Sequence, residues 1–190
     1  MRREKIAARE ALPAQQHQGR SQAIEVHLAR LLQHCQPRIL AFCWPFRAEF
    51  DCRPLIERLL AAGVRSCLPL VSTAGAALEF RAWRPESAMA IDRYGIHYPA
   101  AGAMLVPDVL LLPVNAFDPA GYRLGYGAGY FDRTLAQYSA QGLQPLAIGV
   151  GFELARVPSI YPRAHDIPLD AVVTEAGADI FSARFPAWQE

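Results

Sequence analysis

No run of apolar residues in this chain approaches the ~18–20 needed to cross a bilayer, which argues against a membrane-spanning helix. An excess of either charge is missing too: 19 Lys and Arg against 18 Asp and Glu leave a formal net charge of +1, no basis for a nucleic-acid-binding surface. Cysteine is scarce. Cys35, Cys43, Cys52 and Cys67 lack C-x-x-C spacing and sit among apolar neighbours, the pattern of reduced core thiols rather than of a zinc site. The charged, helix-patterned start is unlike a secretory leader, so the expected compartment is the cytoplasm. Low-complexity stretches and internal repeats are absent, and 52% of the 190 residues are apolar, which sets the expectation of one domain over 1–190. There is no G-K-[ST] phosphate loop, and a G-x-G-x-x-G fingerprint starting at Gly125 fails at Tyr130.

What is present is a strand-and-helix alternation. Residues 2–12 read as a helix with Lys5 and Arg9 on one face, ended by Pro13. Ser21 is the expected N-cap of a second helix with the stripe Ile24, Leu28, Leu31 and Cys35, stopped by Pro37. Residues 39–43 read as a buried strand. A helix capped by Asp51, with Pro54 in its first turn and Gly63 past its end, leads to a strand over 66–71. That β-α-β order predicts a parallel pair with a right-handed crossover. Residues 78–83 alternate as a half-exposed strand, residues 145–150 form another buried strand, and residues 171–174 the expected last one. The whole predicts an α/β fold: three layers, a mainly parallel sheet, helices on both faces.

The most informative stretch follows the apolar run Val109-Leu110-Leu111-Leu112-Pro113. Gly125, Gly127 and Gly129 alternate there, allowing positive φ and close approach of a ligand to the backbone. Tyr130, Phe131, Thr134, Leu135 and Tyr138 then recur at helical spacing. A glycine loop that ends at a helix N-terminus is a seat for phosphate; Arg123 adds a fixed cation, and Asp132 can hold the metal that accompanies a nucleotide. A tight strand-to-helix turn is the plainer alternative. Trp44, Phe46 and Glu49 lie just past the first strand, in the zone where α/β sheets gather ligands.

Asn115-Ala116-Phe117-Asp118 followed by Gly121-Tyr122-Arg123-Leu124-Gly125-Tyr126-Gly127-Ala128-Gly129-Tyr130-Phe131-Asp132-Arg133 resembles the signature of the 5-formyltetrahydrofolate cyclo-ligases. It departs from that pattern at Tyr126, where the family carries Arg or Lys, and at Phe131, where it carries Tyr. The resemblance implies a fold and a reaction: 5-formyltetrahydrofolate becomes 5,10-methenyltetrahydrofolate as ATP, with Mg²⁺, becomes ADP and phosphate. It also implies roles. Lys5, Arg9 and Arg123 meet ATP phosphates, and residues 124–131 (Leu124, Gly125, Tyr126, Gly127, Ala128, Gly129, Tyr130 and Phe131) bind the nucleotide. Asp132 and Asp166 hold Mg²⁺. Trp44, Glu49, Tyr94 and Tyr130 line the folate site, and Arg123 and Glu49 are the candidate catalytic pair. Tyr98 stands where the family has Glu or Gln, and His97 reads as a loop residue. On this reading Lys5 and Arg9, on a terminal helix with little apolar content, contribute little to stability. The small-molecule substrate is the expected partner, with no nucleic acid and no membrane; oligomeric state is open. Two other classes share a phosphate loop, an isomerase-like α/β enzyme and a nucleotide-binding family member without catalysis. The Lys5/Arg9 pair argues against the first; Tyr98 and Tyr126 are what speaks for the second.

Overall fold

The structure, a computed structural model, describes residues 1–185. In chain order the elements are α1 (Arg2–Glu10), α2 (Ala14–Cys35), β1 (Ile39–Ala41), α3 (Arg53–Ala61), β2 (Arg65–Leu70), β3 (Glu79–Trp83), β4 (Met89–Ile91) and β5 (His97–Pro99). Then come β6 (Val109–Pro113), β7 (Ala116–Phe117), β8 (Arg123–Leu124), α4 (Tyr130–Ala140), β9 (Leu146–Val150), a 3₁₀ turn (Glu153–Ala155), β10 (Ala171–Thr174) and β11 (Gly177–Ile180). Seven strands make the main sheet, in the order β11-β10-β9-β6-β1-β2-β3. The inner five are parallel; β3 and β11 run antiparallel at the edges. The mainly parallel sheet is as expected.

Strands covered on both faces read as near-continuous apolar runs, and β6 is one, with Val109 to Leu112 all buried. Its side chains alternate between two cores. Val109 and Leu111 join Leu40, Ile148 and Val173 against Ile24, Leu28 and Leu31 of α2 and Leu55 and Ile56 of α3. Leu110 and Leu112 join Ala41, Ala147 and Val172 against Leu135 and Tyr138 of α4. Helices therefore cover both faces. Helix α1 belongs to neither layer; it reaches the 3₁₀ turn after β9 and the glycine loop.

Several boundaries move. Helix α2 starts seven residues before Ser21, at Ala14, because Pro13 supplies the start: its φ of −56° and ψ of 141° set the chain for the first turn, and its carbonyl accepts the His17 N–H at 2.9 Å. The apolar stripe begins only at Ile24, so the polar first half carries no periodicity to read. Its stop is Gln36 in left-handed conformation, φ 47°, just before Pro37. Asp51 sits one residue outside the α3 cap position but still accepts the Arg53 N–H at 3.0 Å. β10 is not the last strand: β11 returns antiparallel to it through a short turn. Tyr94 and His97 belong to the β4–β5 hairpin, with His97 paired to Ile91 rather than in a loop.

Candidate functional site

Between β6 and the glycine loop the chain inserts a small ribbon, β7 with β8. Asp118 closes it. The buried carboxylate accepts the Ala120 and Tyr122 N–H groups with one oxygen and the Ile160 N–H with the other, all at 3.1 Å. It therefore pins the loop before Asp166 to the ribbon. Arg123, on β8, is aimed by this frame. Its side chain is 5% exposed and donates to the Ile167 carbonyl (2.8 Å) and to Asp132 Oδ1 (3.2 Å). Burial lowers its proton affinity; the carboxylates of Asp132 and Asp166 oppose that. Asp132, in the first turn of α4, also accepts the Ile167 N–H at 3.2 Å. Asp166 is the next residue back, its Oδ2 accepting the Arg163 N–H at 2.7 Å. Residues distant in sequence thus gather around one guanidinium.

Of the three loop glycines, Gly127 (φ 103°) and Gly129 (φ 66°) occupy left-handed backbone, whereas Gly125 does not and borders open space. The expectation of positive φ holds for two of the three. Gly129 is the N-cap of α4. Phe131 and Tyr130 pack partly against the α4-side core, and Leu124 against a small cluster around Ala116, Val157 and Ile160. Ala128 gives its carbonyl to Arg133 Nη2 at 2.7 Å, and the Arg133 guanidinium carbon lies 5.0 Å from the Tyr130 ring centroid. The Tyr94 hydroxyl lies 3.4 Å from that of Tyr130, so the β4–β5 turn reaches the loop.

The α1 cations diverge. Lys5 Nζ donates to the carbonyls of Leu154 (2.6 Å) and Arg156 (3.2 Å), leaving one N–H uncommitted. Arg9 is 4% exposed and turned inward: Nε donates to the Arg47 carbonyl (3.0 Å), Nη1 to Asn115 Oδ1 (3.0 Å) and Nη2 to the Tyr126 hydroxyl (3.1 Å). Glu49 Oε1 is 3.7 Å from Nη2. Arg9 is thus not the surface charge whose removal costs little. Arg2, which sequence reasoning missed, donates from Nε to the Gly125 carbonyl at 2.6 Å, and its Nη1 would lie 3.1 Å from a Cβ on Gly127. Its position at i−3 from Lys5, on the same helical face, was the available signal.

Glu49 has an 8% exposed side chain and accepts the Tyr126 O–H at 2.6 Å and the Phe46 N–H at 3.1 Å. Burial raises its pKa; the Tyr126 hydrogen bond, Arg9 and the Phe46 amide pull the other way. Trp44 is packed on several sides: the Arg53 guanidinium carbon is 4.4 Å from its ring centroid, the His97 ring 5.2 Å and the Trp83 ring 6.3 Å edge-on. Tyr98, opposite Ala90 on β5, is half-buried. A cleft lined by Leu60, Val64, Trp83 and Arg84 lies at the opposite, amino end of β2 and contains none of the site residues expected from the sequence.

Among the described residues, no group of three or more His, Cys, Asp or Glu is arranged for a metal. Asp132 and Asp166 still fit Mg²⁺, which typically takes one or two carboxylates together with waters and substrate phosphates. Asp132 Oδ2 makes no hydrogen bond to another described residue.

Residues 1–175 match the model of the 5-formyltetrahydrofolate cyclo-ligase family. The 5-formyltetrahydrofolate cyclo-ligase of Escherichia coli K12 is 34% identical over 172 residues, covering 87% of this chain and 93% of its own. That of Haemophilus influenzae is 29% identical, covering 82% and 84%. The solved 5,10-methenyltetrahydrofolate synthetase of Aquifex aeolicus superposes with a TM-score of 0.81 at 25% identity, over 100% of this chain and 93% of that one. With this fold, the ribbon-framed glycine loop and a match over most of its length, the chain belongs to the 5-formyltetrahydrofolate cyclo-ligase family.

Proposed function

We propose that the protein converts 5-formyltetrahydrofolate to 5,10-methenyltetrahydrofolate, with ATP going to ADP and phosphate, in one domain. The observation that carries this reading is the glycine loop leading into the α4 N-terminus, with the Arg123–Asp132 pair behind it, Arg2 of α1 on the Gly125 carbonyl, and Tyr126 of the loop joined to Arg9 and Glu49.

The formamide oxygen is a poor leaving group because the amide is resonance-stabilised. It attacks the γ-phosphorus of ATP, displacing ADP and leaving an iminium-like phosphate ester. N10 then bonds to the formyl carbon and gives up its proton, the carbon–oxygen bond breaks, and phosphate leaves. Such transfer needs alignment and charge neutralisation rather than a protein nucleophile. Asp132 and Asp166 would hold Mg²⁺, which supplies charge neutralisation at the phosphates. Arg2 presents uncommitted N–H groups at the loop, and Lys5 one uncommitted N–H beside the 3₁₀ turn after β9. Arg9 and Arg123, whose forks are engaged within the protein, act as fixed charges that need no reorganisation. Tyr130 and Tyr94 offer an aromatic wall to the folate, Trp44 a packed floor behind it, and Glu49 a carboxylate for the N–H-rich head or the N10 proton.

The test is an assay with ATP, Mg²⁺ and 5-formyltetrahydrofolate, following methenyl product by absorbance and ADP in parallel. Equal amounts of the two are expected. ADP release indifferent to the folate would mean a plain ATPase, and nucleotide binding without turnover a member that has lost catalysis.

A further inference from the structure

Tyr126 stands where the family pattern has a cation, and its surroundings give the substitution a use. The residue is 40% exposed, its ring resting edge-on against Phe46 at 5.9 Å, yet its hydroxyl reaches inward between two side chains that are 5% and 8% exposed. Arg9 Nη2 can only donate, so at 3.1 Å the tyrosine oxygen accepts from it. The single hydroxyl proton is then left for Glu49 Oε1 at 2.6 Å. Glu49 Oε2 is fixed separately by the Phe46 amide. One carboxylate is therefore held from three parts of the chain: α1, the glycine loop and the segment after β1.

We propose that Tyr126 is the positioning residue for Glu49: its hydroxyl, anchored by Arg9, sets the direction of the carboxylate toward the folate and favours its ionised form. The proposal rests on the functional reading above for the word folate, and on geometry for the rest. Groups facing Glu49 come from each neighbouring element. Arg9 extends from α1, the Tyr126 hydroxyl from the glycine loop, and the Cys43 and Cys52 thiols from the end of β1 and the head of α3. Both thiols are buried and pushed up, hence neutral, and Arg47 nearby is committed to Glu10. With those thiols neutral and Glu49 largely desolvated, Tyr126 is the closest donor to its charge. Removing one hydrogen bond from an ionised carboxylate favours its protonated form.

The experiment is a carboxyl carbon-13 titration of wild type and Tyr126→Phe, with Glu49→Gln to assign the signal, run alongside the pH profile of kcat/KM for 5-formyltetrahydrofolate. The Glu49 midpoint should move to higher pH in Tyr126→Phe, and the acidic limb of the profile should move with it. KM for ATP should change less. Looser packing alone, by admitting water to Glu49, would leave the midpoints in place or move them to lower pH. An unmoved Glu49 midpoint overturns the proposal. A moved midpoint in a protein that does not turn over 5-formyltetrahydrofolate overturns the functional reading instead, and leaves the hold of Tyr126 on Glu49 supported.

Discussion

Replacing Arg9 with Ala should destabilise the protein far more than replacing Lys5, although both are cations one turn apart on a terminal helix. The Arg9 side chain is 5% exposed, donates three hydrogen bonds and lies 3.7 Å from Glu49. Removing one partner of a buried ion pair costs about 3–5 kcal/mol, because the other charge stays behind. The Arg9–Glu49 separation of 3.7 Å is longer than a direct hydrogen bond, and burial already raises the Glu49 pKa, so the lower end, about 3 kcal/mol, is the reasonable figure. For a chain of this size that corresponds to roughly 6–12 °C in Tm. Lys5 is half-buried and gives two hydrogen bonds to carbonyls at the protein's margin, where water replaces it readily. Its loss should cost about 1 kcal/mol, or roughly 2–4 °C. Calorimetric melts of the two single variants decide the matter. If Arg9→Ala melts with Lys5→Ala, the inward network contributes nothing to stability and the reasoning from burial fails.

Asp132→Asn and Asp166→Asn should each raise the Mg²⁺ concentration needed for turnover. If they serve one ion, the double variant should be little worse than the harsher single one. Asp132→Asn should also lower Tm, since it takes the nearest countercharge from the buried Arg123, so a melt unchanged from wild type would contradict the pairing. The folded protein holds the Glu49 proton to higher pH than the unfolded chain does. Stability carried by that group should therefore fall as pH rises from the ordinary glutamate value through the raised one, and comparing urea midpoints of wild type and Glu49→Gln across that window measures it. Arg2→Ala should raise KM for ATP and move Tm by less than about 2 °C, the range of a surface substitution in a chain of this length. Tyr126→Arg should tighten ATP binding by adding a cation at the loop, and equal or poorer affinity by calorimetric titration would mean that the like charge of Arg9 dominates.

The parts of the fold legible in the sequence are those where burial writes a period. β6, β9 and β10 are apolar on successive residues because both faces are covered, and the α2 stripe appears where that helix meets the sheet. The β7–β8 ribbon is two residues a side, too short for any alternation to register. β11, Gly-Ala-Asp-Ile, is an edge strand whose last three residues are only partly buried, so its apolar signal is weak. The first turns of α2 are polar and announced only by Pro13. In the site, spacing was legible and direction was not. Lys5 and Arg9 share a helical face as their separation requires, but nothing in Lys-Ile-Ala-Ala-Arg-Glu says that one guanidinium is buried against Asn115 and Tyr126. That follows from which loops meet α1.

Asp118 shows the same limit from the other side. It belongs to the recognisable motif, yet its three side-chain hydrogen bonds all come from backbone amides, two in the ribbon's turn and one at residue 160. Its effect on chemistry passes through the frame it closes, because the segment it pins runs on to Asp166 and Ile167, the neighbours of Asp132 and Arg123. The glycine loop is held differently. Arg2 grips it through a carbonyl, Arg133 through another, Tyr94 through a hydroxyl, and Tyr126 by its own tip in the Arg9–Glu49 pair. These are long, polar, partly exposed side chains, and a segment held chiefly by such contacts opens at lower free energy than the core beneath it. The rigid half of the site is thus built from buried carboxylate and arginine contacts on the ribbon, and the yielding half from side-chain tips. If the proposed function holds, a phosphate at the glycine loop would meet only the second set, and ATP binding should alter the Arg2–Gly125 contact while leaving the Arg123–Asp132 pair in place.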